Sequence, residues 1–305
     1  MAFFFHKKLN LNRQLKWTFF SLLCGVLSGL AATVFLVLLQ WATEFREHNL
    51  TIIWLLQVAG FLIGWVYYHF AGRATGGNNL ILDEIHEPKN VLPLRMAPLV
   101  LLGTVATHLF GGSAGREGTA VQMGASLSDQ LSHFFKIAPE ERKILLAAGA
   151  GAGFSAAIGA PWAGVVFGME VIHVGRLRLF AWFECLVASF AGYATTLALG
   201  APHSHYPRFQ IPDYGLKLFF FVALAGILFG LAARGFIALT HFIEGLHARW
   251  VSYLPLRPVL AGLVLVGLYY VEGTYRFAGL GIFEIQKARS SKPSLQERTS
   301  PTNRP

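Results

Sequence analysis

Arg116 and Glu117 form a charged pair inside a long uncharged stretch of the chain. No other residue between positions 98 and 128 carries a formal charge, and the pair lies in the sequence GGSAGREGTAVQMG. An ionisable side chain in an apolar segment is energetically costly, so it marks a functional site by default. The surrounding glycines interrupt a helix and expose its backbone; they are Gly111, Gly112, Gly115 and Gly118.

A helix that restarts after these glycines, predicted over residues 119–134, would direct the positive end of its dipole at the break. Such a place binds anions, and we expect its donors to lie at four residues, Gly115, Arg116, Gly118 and Thr119. The Glu117 carboxylate can itself occupy an anion site. Protonation would release it, which couples anion movement to protons by competition. The alternative is that Glu117 only pairs with Arg116 at a helix start.

A second glycine-rich loop is predicted over residues 71–85, with the sequence AGRATGGNNLILDEI. Asn78 and Asn79 can each donate amide hydrogens to an anion without adding charge. We therefore predict both as anion ligands. Glycine and asparagine also dominate ordinary turns, so a turn is the alternative interpretation.

A serine hydrolase is the competing functional class for the first loop. Gly111, Ser113 and Gly115 match G-x-S-x-G, the nucleophile loop of hydrolases and of rhomboid-type intramembrane proteases. Ser113 would need a histidine base, for which His108 and His173 are the candidates in apolar surroundings. His108 is awkwardly close to Ser113 in sequence, so an intramembrane serine hydrolase is a remote alternative. We expect no enzymatic activity, no cofactor and no metal.

The composition places these motifs in a membrane protein. Of 305 residues, 54% are hydrophobic and only 13% are charged, whereas about a quarter of the residues of a soluble domain are charged. Lysine and arginine outnumber aspartate and glutamate by 25 to 16, but the excess lies at the ends and in the loops, where membrane topology explains it. We expect a lipid bilayer as partner, no nucleic acid, and a basic cytosolic N-terminus over residues 1–16.

The apolar segments predict the helices that must position the two loops. Six are long, at residues 17–40, 50–68, 92–110, 179–199, 216–233 and 259–271. Two shorter segments, residues 144–158 and 162–174, cannot cross about 30 Å of hydrocarbon. Short interrupted helices are typical of transporters, and the small residues of these two favour a place inside the bundle. Cys24 and Cys185 lie in apolar segments and are expected to pack there.

An internal repeat divides the chain. Three residue pairs recur later in the chain at nearly the same distance. The pair Gly25 and Gly29 recurs 201 residues later, Tyr67 and Tyr68 recur 202 residues later, and Glu84 and Ile85 recur 200 residues later. We predict a transmembrane domain over residues 17–285, with a first repeat over 17–200, a partial second repeat over 216–285 and a polar disordered tail over 286–305. A full second copy would extend beyond position 305, so we expect the second repeat to be incomplete.

At these loops the sequence resembles the CLC family of chloride channels and proton-coupled anion antiporters. GREGT at 115–119 is similar to the family's GREGP signature, GGNNLI at 76–81 takes the place of GSGIP, and AGAGFSAAIGAPWAGVVFGMEV at 150–171 resembles AAxFNAPxAGxxFxxEE. The resemblance covers residues 17 to about 285. It implies an all-α integral membrane protein, an inverted-repeat helical bundle with broken and re-entrant helices. It also implies that Glu117 is the gate and the external proton acceptor.

Departures from the common family pattern indicate one branch. Asn78 stands at the usual selectivity serine, Thr119 replaces the proline of GREGP, and Val171 follows Glu170 in place of a second acidic residue. Together these look like the fluoride-exporting CLC branch. The resemblance therefore implies fluoride/proton antiport in preference to chloride transport. It also implies a homodimer with one pore per subunit, in a bacterial-type plasma (inner) membrane.

Two family elements are not found in the chain: the GxFxP loop of the second repeat and the pore-lining tyrosine of the last helix. GLGIFEI at 279–285 resembles the start of the second repeat's own half-helix. A second hypothesis is therefore open, in which the chain is a truncated, transport-inactive CLC gene product that associates only with a full-length subunit.

Overall fold

The computed structural model describes residues 11–171, 179–204, 215–275, 278, 279 and 281. All regular structure within these residues is helical, which confirms the predicted all-α class. The α-helices are α1 (Leu11–His48), α2 (Leu56–Val66), α3 (Gly77–His86), α4 (Met96–Leu109), α5 (Arg116–Phe134), α6 (Pro139–Ile158), α7 (Pro161–Glu170), α8 (Trp182–Ala198), α9 (Leu216–Trp250) and α10 (Arg257–Glu272).

Several of these helices continue beyond the apolar run that predicts them. Helix α9 runs on to Trp250, well past the predicted segment 216–233. Helix α6 begins at Pro139, before the predicted start at residue 144. Proline at the first helical position, followed by Glu140 and Glu141 in the first turn, favours a helix start because the ring fixes φ and the carboxylates complement the helix dipole.

Five helical stretches are long and apolar enough to cross a membrane: Asn12–His48, Leu50–His86, Leu179–Ala198, Leu216–Trp250 and Leu254–Glu272. The second of them stays helical but changes its helical geometry four times. It passes through 3-10 turns at Leu50–Leu55 and Gly72–Gly76 and a π-turn at Tyr67–Ala71. The loop predicted over residues 71–85 is therefore helical, and α3 begins within it. Gly72 and Gly77, both at φ +53°, supply the changes of direction.

The centre of the bundle is formed by close contact between glycine-rich faces. Helix α5 crosses α6 where Gly124 faces Gly149 and Gly153, and a Cβ atom at Gly153 would collide with the Ala120 carbonyl oxygen. Most of α6 is buried, which confirms that this short segment lies inside the bundle. Cys24 and Cys185 are fully buried in one apolar cluster with residues of α1, α6, α7 and α8, as expected for small core side chains.

Helices α1 and α8 approach equally closely. A Cβ atom at Gly25 would lie 2.5 Å from the Ala188 carbonyl oxygen, and one at Gly29 would lie 2.6 Å from Thr195 Cβ. The counterparts of these glycines in the predicted second repeat, Gly226 and Gly230 of α9, have no described atom within 4 Å of that position. The division into two repeats stays a prediction. The recurring pair at 284 and 285, the tail at 286–305 and residues 1–10 lie outside the described residues.

A buried ion network fixes α3, α5 and α6 relative to one another. Arg142 of α6 makes a bidentate pair with Asp129 of α5, at 2.6 Å from Nε and 2.7 Å from Nη2. Its Nη1 atom also donates to Glu84 of α3 at 3.1 Å. The carboxylates accept backbone N–H groups of the connection between α3 and α4: Leu92 donates to Asp129 at 2.6 Å and Asn90 to Glu84 at 3.0 Å. All three charged side chains are thus buried with their hydrogen bonds satisfied.

Replacing Arg142 with methionine should reduce the free energy of unfolding by about 3–5 kcal/mol, because it leaves Asp129 buried without its cation and Glu84 paired with Arg73 alone. Unfolding of the purified protein in mixed micelles, titrated with denaturing detergent, measures the change. Lys143→Met is the matched control, since Lys143 pairs with the exposed Glu140 and the loss should stay below about 1 kcal/mol. Equal losses in the two variants would show that the network does not stabilise the fold.

Gly153→Ala should destabilise the protein by about 1–3 kcal/mol, because the added methyl group collides with the backbone of α5 and overpacks the contact. The same unfolding titration measures it. Gly245→Ala in α9 is the control, because no described atom lies within 4 Å of that Cβ position and alanine favours a helix over glycine. The close contact would be disproved if Gly153→Ala were as stable as Gly245→Ala.

Candidate functional site

The N-terminus of α5 forms one half of the site. The helix begins at Arg116, with Gly115 as its N-cap in an extended conformation (φ −69°, ψ 129°). The predicted start at residue 119 is therefore three residues too late, and Gly118 lies inside the first turn. The N–H groups of a helix N-cap and its first three residues have no intrahelical acceptor. At this end they belong to Gly115, Arg116, Glu117 and Gly118.

The N-terminus of α3 meets this turn. The amide nitrogen of Asn78 lies 3.3 Å from the position that a Cβ atom would occupy at Gly118, and Gln122 of α5 lies next to Gly77. The two glycine-rich stretches, separated by about forty residues in sequence, are thus brought together. Asn78 and Asn79 both have exposed side chains in the first turn of α3, but it is Asn78 whose amide reaches α5.

Glu117 lies at the second position of α5 with its side chain exposed. Among the described residues it makes no salt bridge, whereas the Arg116 guanidinium donates to the Ser204 hydroxyl at 3.1 Å. The alternative that Glu117 only pairs with Arg116 is therefore wrong in this conformation. The exposed carboxylate lies next to Gly115, and Arg116 has its backbone N–H group at the same helix end.

Thr119 lies in the interior, in the first turns of α5. Its side chain is buried, and its hydroxyl hydrogen-bonds Thr104 at 2.7 Å and the Gly115 carbonyl at 3.1 Å. Its backbone N–H is the first to find an acceptor inside the helix, at the carbonyl of the N-cap residue. Both donors of Thr119 thus have acceptors within the protein, and its part in anion binding stays a prediction.

Two further side chains contact the segment before α5, and sequence analysis missed both. Arg46 of α1, buried at 4% exposure, donates to the His108 carbonyl at 2.8 Å. The hydroxyl of Tyr269 in α10 donates to the Gly111 carbonyl at 3.0 Å. The only signals in the sequence were a cation at the end of an apolar segment and a tyrosine pair that marks the repeat.

The serine hydrolase alternative lacks its base among the described residues. No hydrogen bond joins Ser113 to His108, whose Nδ1 atom lies 3.4 Å from the Gly112 carbonyl. The Nε2 atom of His108 is buried without a described partner. The second candidate base, His173, lies outside the described residues. Within the described residues there is also no cluster of histidine, cysteine, aspartate or glutamate that could hold a metal ion.

The fold and the site define a class of protein: a helical membrane bundle in which two helix N-termini and an amide converge beside one carboxylate. The family model described as voltage gated chloride channel matches residues 59–297, so the chain belongs to the voltage gated chloride channel (CLC) family. With this assignment and five candidate spans, the chain is a multi-pass integral membrane protein, as predicted.

Related proteins agree with this assignment. The chain is 43% identical over 273 residues to a chloride/fluoride channel protein of Pseudomonas syringae pv. tomato, with 88% of the chain and 60% of that protein covered. It is 29% identical over 269 residues to the H(+)/Cl(-) exchange transporter ClcA of Cronobacter sakazakii, with 80% of the chain and 56% of that protein covered. The chain thus spans somewhat more than half the length of these two relatives.

A solved structure has the same fold. The crystal structure of a CLC-type fluoride/proton antiporter superposes with a TM-score of 0.87 at 29% identity, covering 94% of this chain and 73% of that one. The predicted fold class is thereby confirmed, and both the family and its members named here are ion channels or transporters.

Proposed function

We propose that the chain transports a small halide in exchange for protons, and that fluoride is preferred to chloride. The observation that carries the proposal is the meeting of the Asn78 amide with the first turn of α5, beside an exposed Glu117 carboxylate. Similarity to a chloride/fluoride channel protein and to a fluoride/proton antiporter of known structure supports the choice of ion.

The site suits an anion because its donors are dipoles. N–H groups at a helix N-terminus and a side-chain amide attract negative charge without adding a fixed positive charge that would trap the ion. Fluoride is the smallest halide and the strongest hydrogen-bond acceptor, so replacing its water shell requires several short N–H contacts. Asn78 offers two such hydrogens, where a serine offers one.

Glu117 provides the coupling to protons. Its ionised carboxylate, at the second position of α5, is attracted by the same N–H groups that attract the halide. The carboxylate and the anion therefore compete for one place. Protonation removes the negative charge and frees the place for a halide, so each exchange carries a proton one way and an anion the other.

The remaining features of the proposal follow from the family resemblance. They are a homodimer with one pore per subunit, contact with the lipid bilayer, and a place in a bacterial plasma (inner) membrane. No enzymatic step and no cofactor belong to it. The Asn79 amide, in the same turn as Asn78, is proposed as a weaker second ligand.

Glu117→Gln should abolish proton movement and leave halide flux, because the amide has nearly the same shape as the acid but cannot titrate. The measurement uses proteoliposomes with fluoride- and chloride-selective electrodes outside and a pH-sensitive dye inside. Glu87→Gln, which changes an exposed carboxylate paired with Lys89, is the control and should keep both fluxes. Proton movement that persists with halide flux in Glu117→Gln would contradict the assigned role. No flux from the folded wild-type chain would contradict the transport function itself.

Asn78→Ser should lower the ratio of fluoride to chloride flux by about tenfold, the factor that corresponds to one lost hydrogen bond of about 1.4 kcal/mol. The two electrodes in one vesicle preparation give the ratio directly. Asn79→Ser separates the neighbouring asparagines and should change the ratio less. An unaltered ratio in Asn78→Ser would remove this residue from the selectivity filter.

A further inference from the structure

The segment that leads into α5 has its carbonyl groups held by side chains from three other positions. The His108 carbonyl accepts from Arg46 at 2.8 Å and the Gly111 carbonyl accepts from Tyr269 at 3.0 Å. The Gly115 carbonyl accepts from Thr119 at 3.1 Å. Each donor therefore adds a restraint on one carbonyl before or at the N-cap of the helix. The His108 carbonyl also accepts the Gly111 N–H at 3.2 Å, and the Gly115 carbonyl accepts the first intrahelical N–H of α5.

The orientation of these peptide groups matters because each has a partial positive charge at its N–H end and a partial negative charge at its carbonyl end. The N–H end attracts an anion and the carbonyl end repels one, so an anion site built from backbone requires the carbonyl oxygens to point elsewhere. Glycines hold a peptide orientation poorly, since they allow many backbone conformations. The segment contains Gly111, Gly112 and Gly115. The N–H groups of Gly111 and Gly112 bond the His108 and Thr107 carbonyls at the end of α4, at 3.2 and 2.9 Å, and the side-chain contacts add to these restraints.

Thr104 completes the restraint at the N-cap. Because the Thr119 hydroxyl gives its hydrogen to the Gly115 carbonyl, the 2.7 Å contact between Thr119 and Thr104 must be donated by Thr104. Threonines within helices commonly donate to the carbonyl four residues earlier, and Thr107 in the same helix does so to Gly103 at 2.7 Å. Thr104 instead turns away from its own helix and supports α5.

We propose that Thr104 and Tyr269 are positioning residues of the anion site, which hold the carbonyl groups of the glycine-rich segment away from the bound halide. The proposal rests on the proposed transport function. Arg46 makes the third such contact, but its removal would also delete a buried charge, so it is a poorer test. Neither Thr104 nor Tyr269 needs to touch the anion. Both act through the peptide orientation at Gly111 and Gly115.

A hydrogen bond that served only stability would affect folding and leave affinity unchanged. Loss of a positioning contact instead loosens the restraint on one carbonyl and lets its peptide tilt toward the anion, which weakens binding of the halide while the maximal rate stays near that of the wild type. The test is therefore the half-saturating halide concentration measured separately from the maximal flux, together with the midpoint of thermal unfolding.

Tyr269→Phe removes the hydroxyl and keeps the ring, and its neighbour Tyr270→Phe is the matched control because Tyr270 is 78% exposed. We expect Tyr269→Phe to raise the half-saturating fluoride concentration about threefold to tenfold, the range that one lost buried hydrogen bond gives. The maximal flux should stay within about twofold of the wild-type value. Tyr270→Phe should change neither quantity.

Thr104→Val tests the second contact with a side chain of the same shape. It should raise the half-saturating concentration to a similar extent, whereas Thr104→Ser keeps the donor and should restore it. Thr107→Val is the matched control, because that hydroxyl serves only its own helix. Combining Tyr269→Phe with Thr104→Val should multiply the two effects, since each contact holds a different carbonyl.

The outcomes separate the two proposals. Folded wild-type protein that neither moves halide nor shows a halide-dependent rise in its thermal midpoint would overturn the transport function and the positioning role with it. Wild-type flux with unchanged half-saturation in both Tyr269→Phe and Thr104→Val would overturn the positioning role alone. A lowered thermal midpoint with unchanged half-saturation would make the contacts purely structural and overturn the role as well.

Discussion

The position of the site depends on the Arg142 guanidinium. This group joins Asp129 of α5 to Glu84 of α3, and the same carboxylates hold the backbone of the connection that leads into α4. The two helices that carry Glu117 and Asn78 are thus fixed about one cation in the interior. A buried pair of this kind is not a strong source of stability in itself, but it tolerates few alternative arrangements because every partner must be satisfied. The ion network therefore sets the geometry of the helix ends.

The site itself follows the opposite electrostatic rule. Charges in the network are paired and buried, whereas the proposed anion site is lined by peptide and amide dipoles, and the Glu117 carboxylate beside it makes no salt bridge with any described residue. A buried ion pair does not readily give up one partner for another ion, because separating the pair leaves an uncompensated buried charge. Dipoles attract an anion less strongly and let it leave, which a transport pathway requires. Glu117 is the residue in the first turn of α5 whose charge can change with pH. In the proposed mechanism, its protonation state therefore decides whether the Glu117 carboxylate or a halide occupies the anion site.

Much of the site could be predicted from sequence because its signals are local. An isolated charged pair between glycines predicts a helix break, and the structure has one between α4 and α5; the anion site at this break stays a prediction. The start of α5 could not be predicted, because Gly118 is tolerated inside the first turn where Asn78 packs against it. The helical path through 72–86 was missed because glycines at positive φ redirect a helix as well as end it. Contacts from Arg46, Thr104 and Tyr269 depend on tertiary packing, for which no local pattern exists.

The contact of Tyr269 has a consequence for the predicted repeat. Tyr269 lies in α10, in the predicted second repeat, yet its hydroxyl holds a carbonyl in the segment of the first repeat that leads into α5. Arg46 makes a similar link, because its guanidinium holds the His108 carbonyl and lies so close to Gly279 that a side chain there would collide with it. The backbone of the anion site is thus restrained by side chains from both sides of the predicted boundary. Moving α10 alone would break the Tyr269 bond to the Gly111 carbonyl, while the Gly112 N–H of the same peptide would stay bonded to the Thr107 carbonyl of α4.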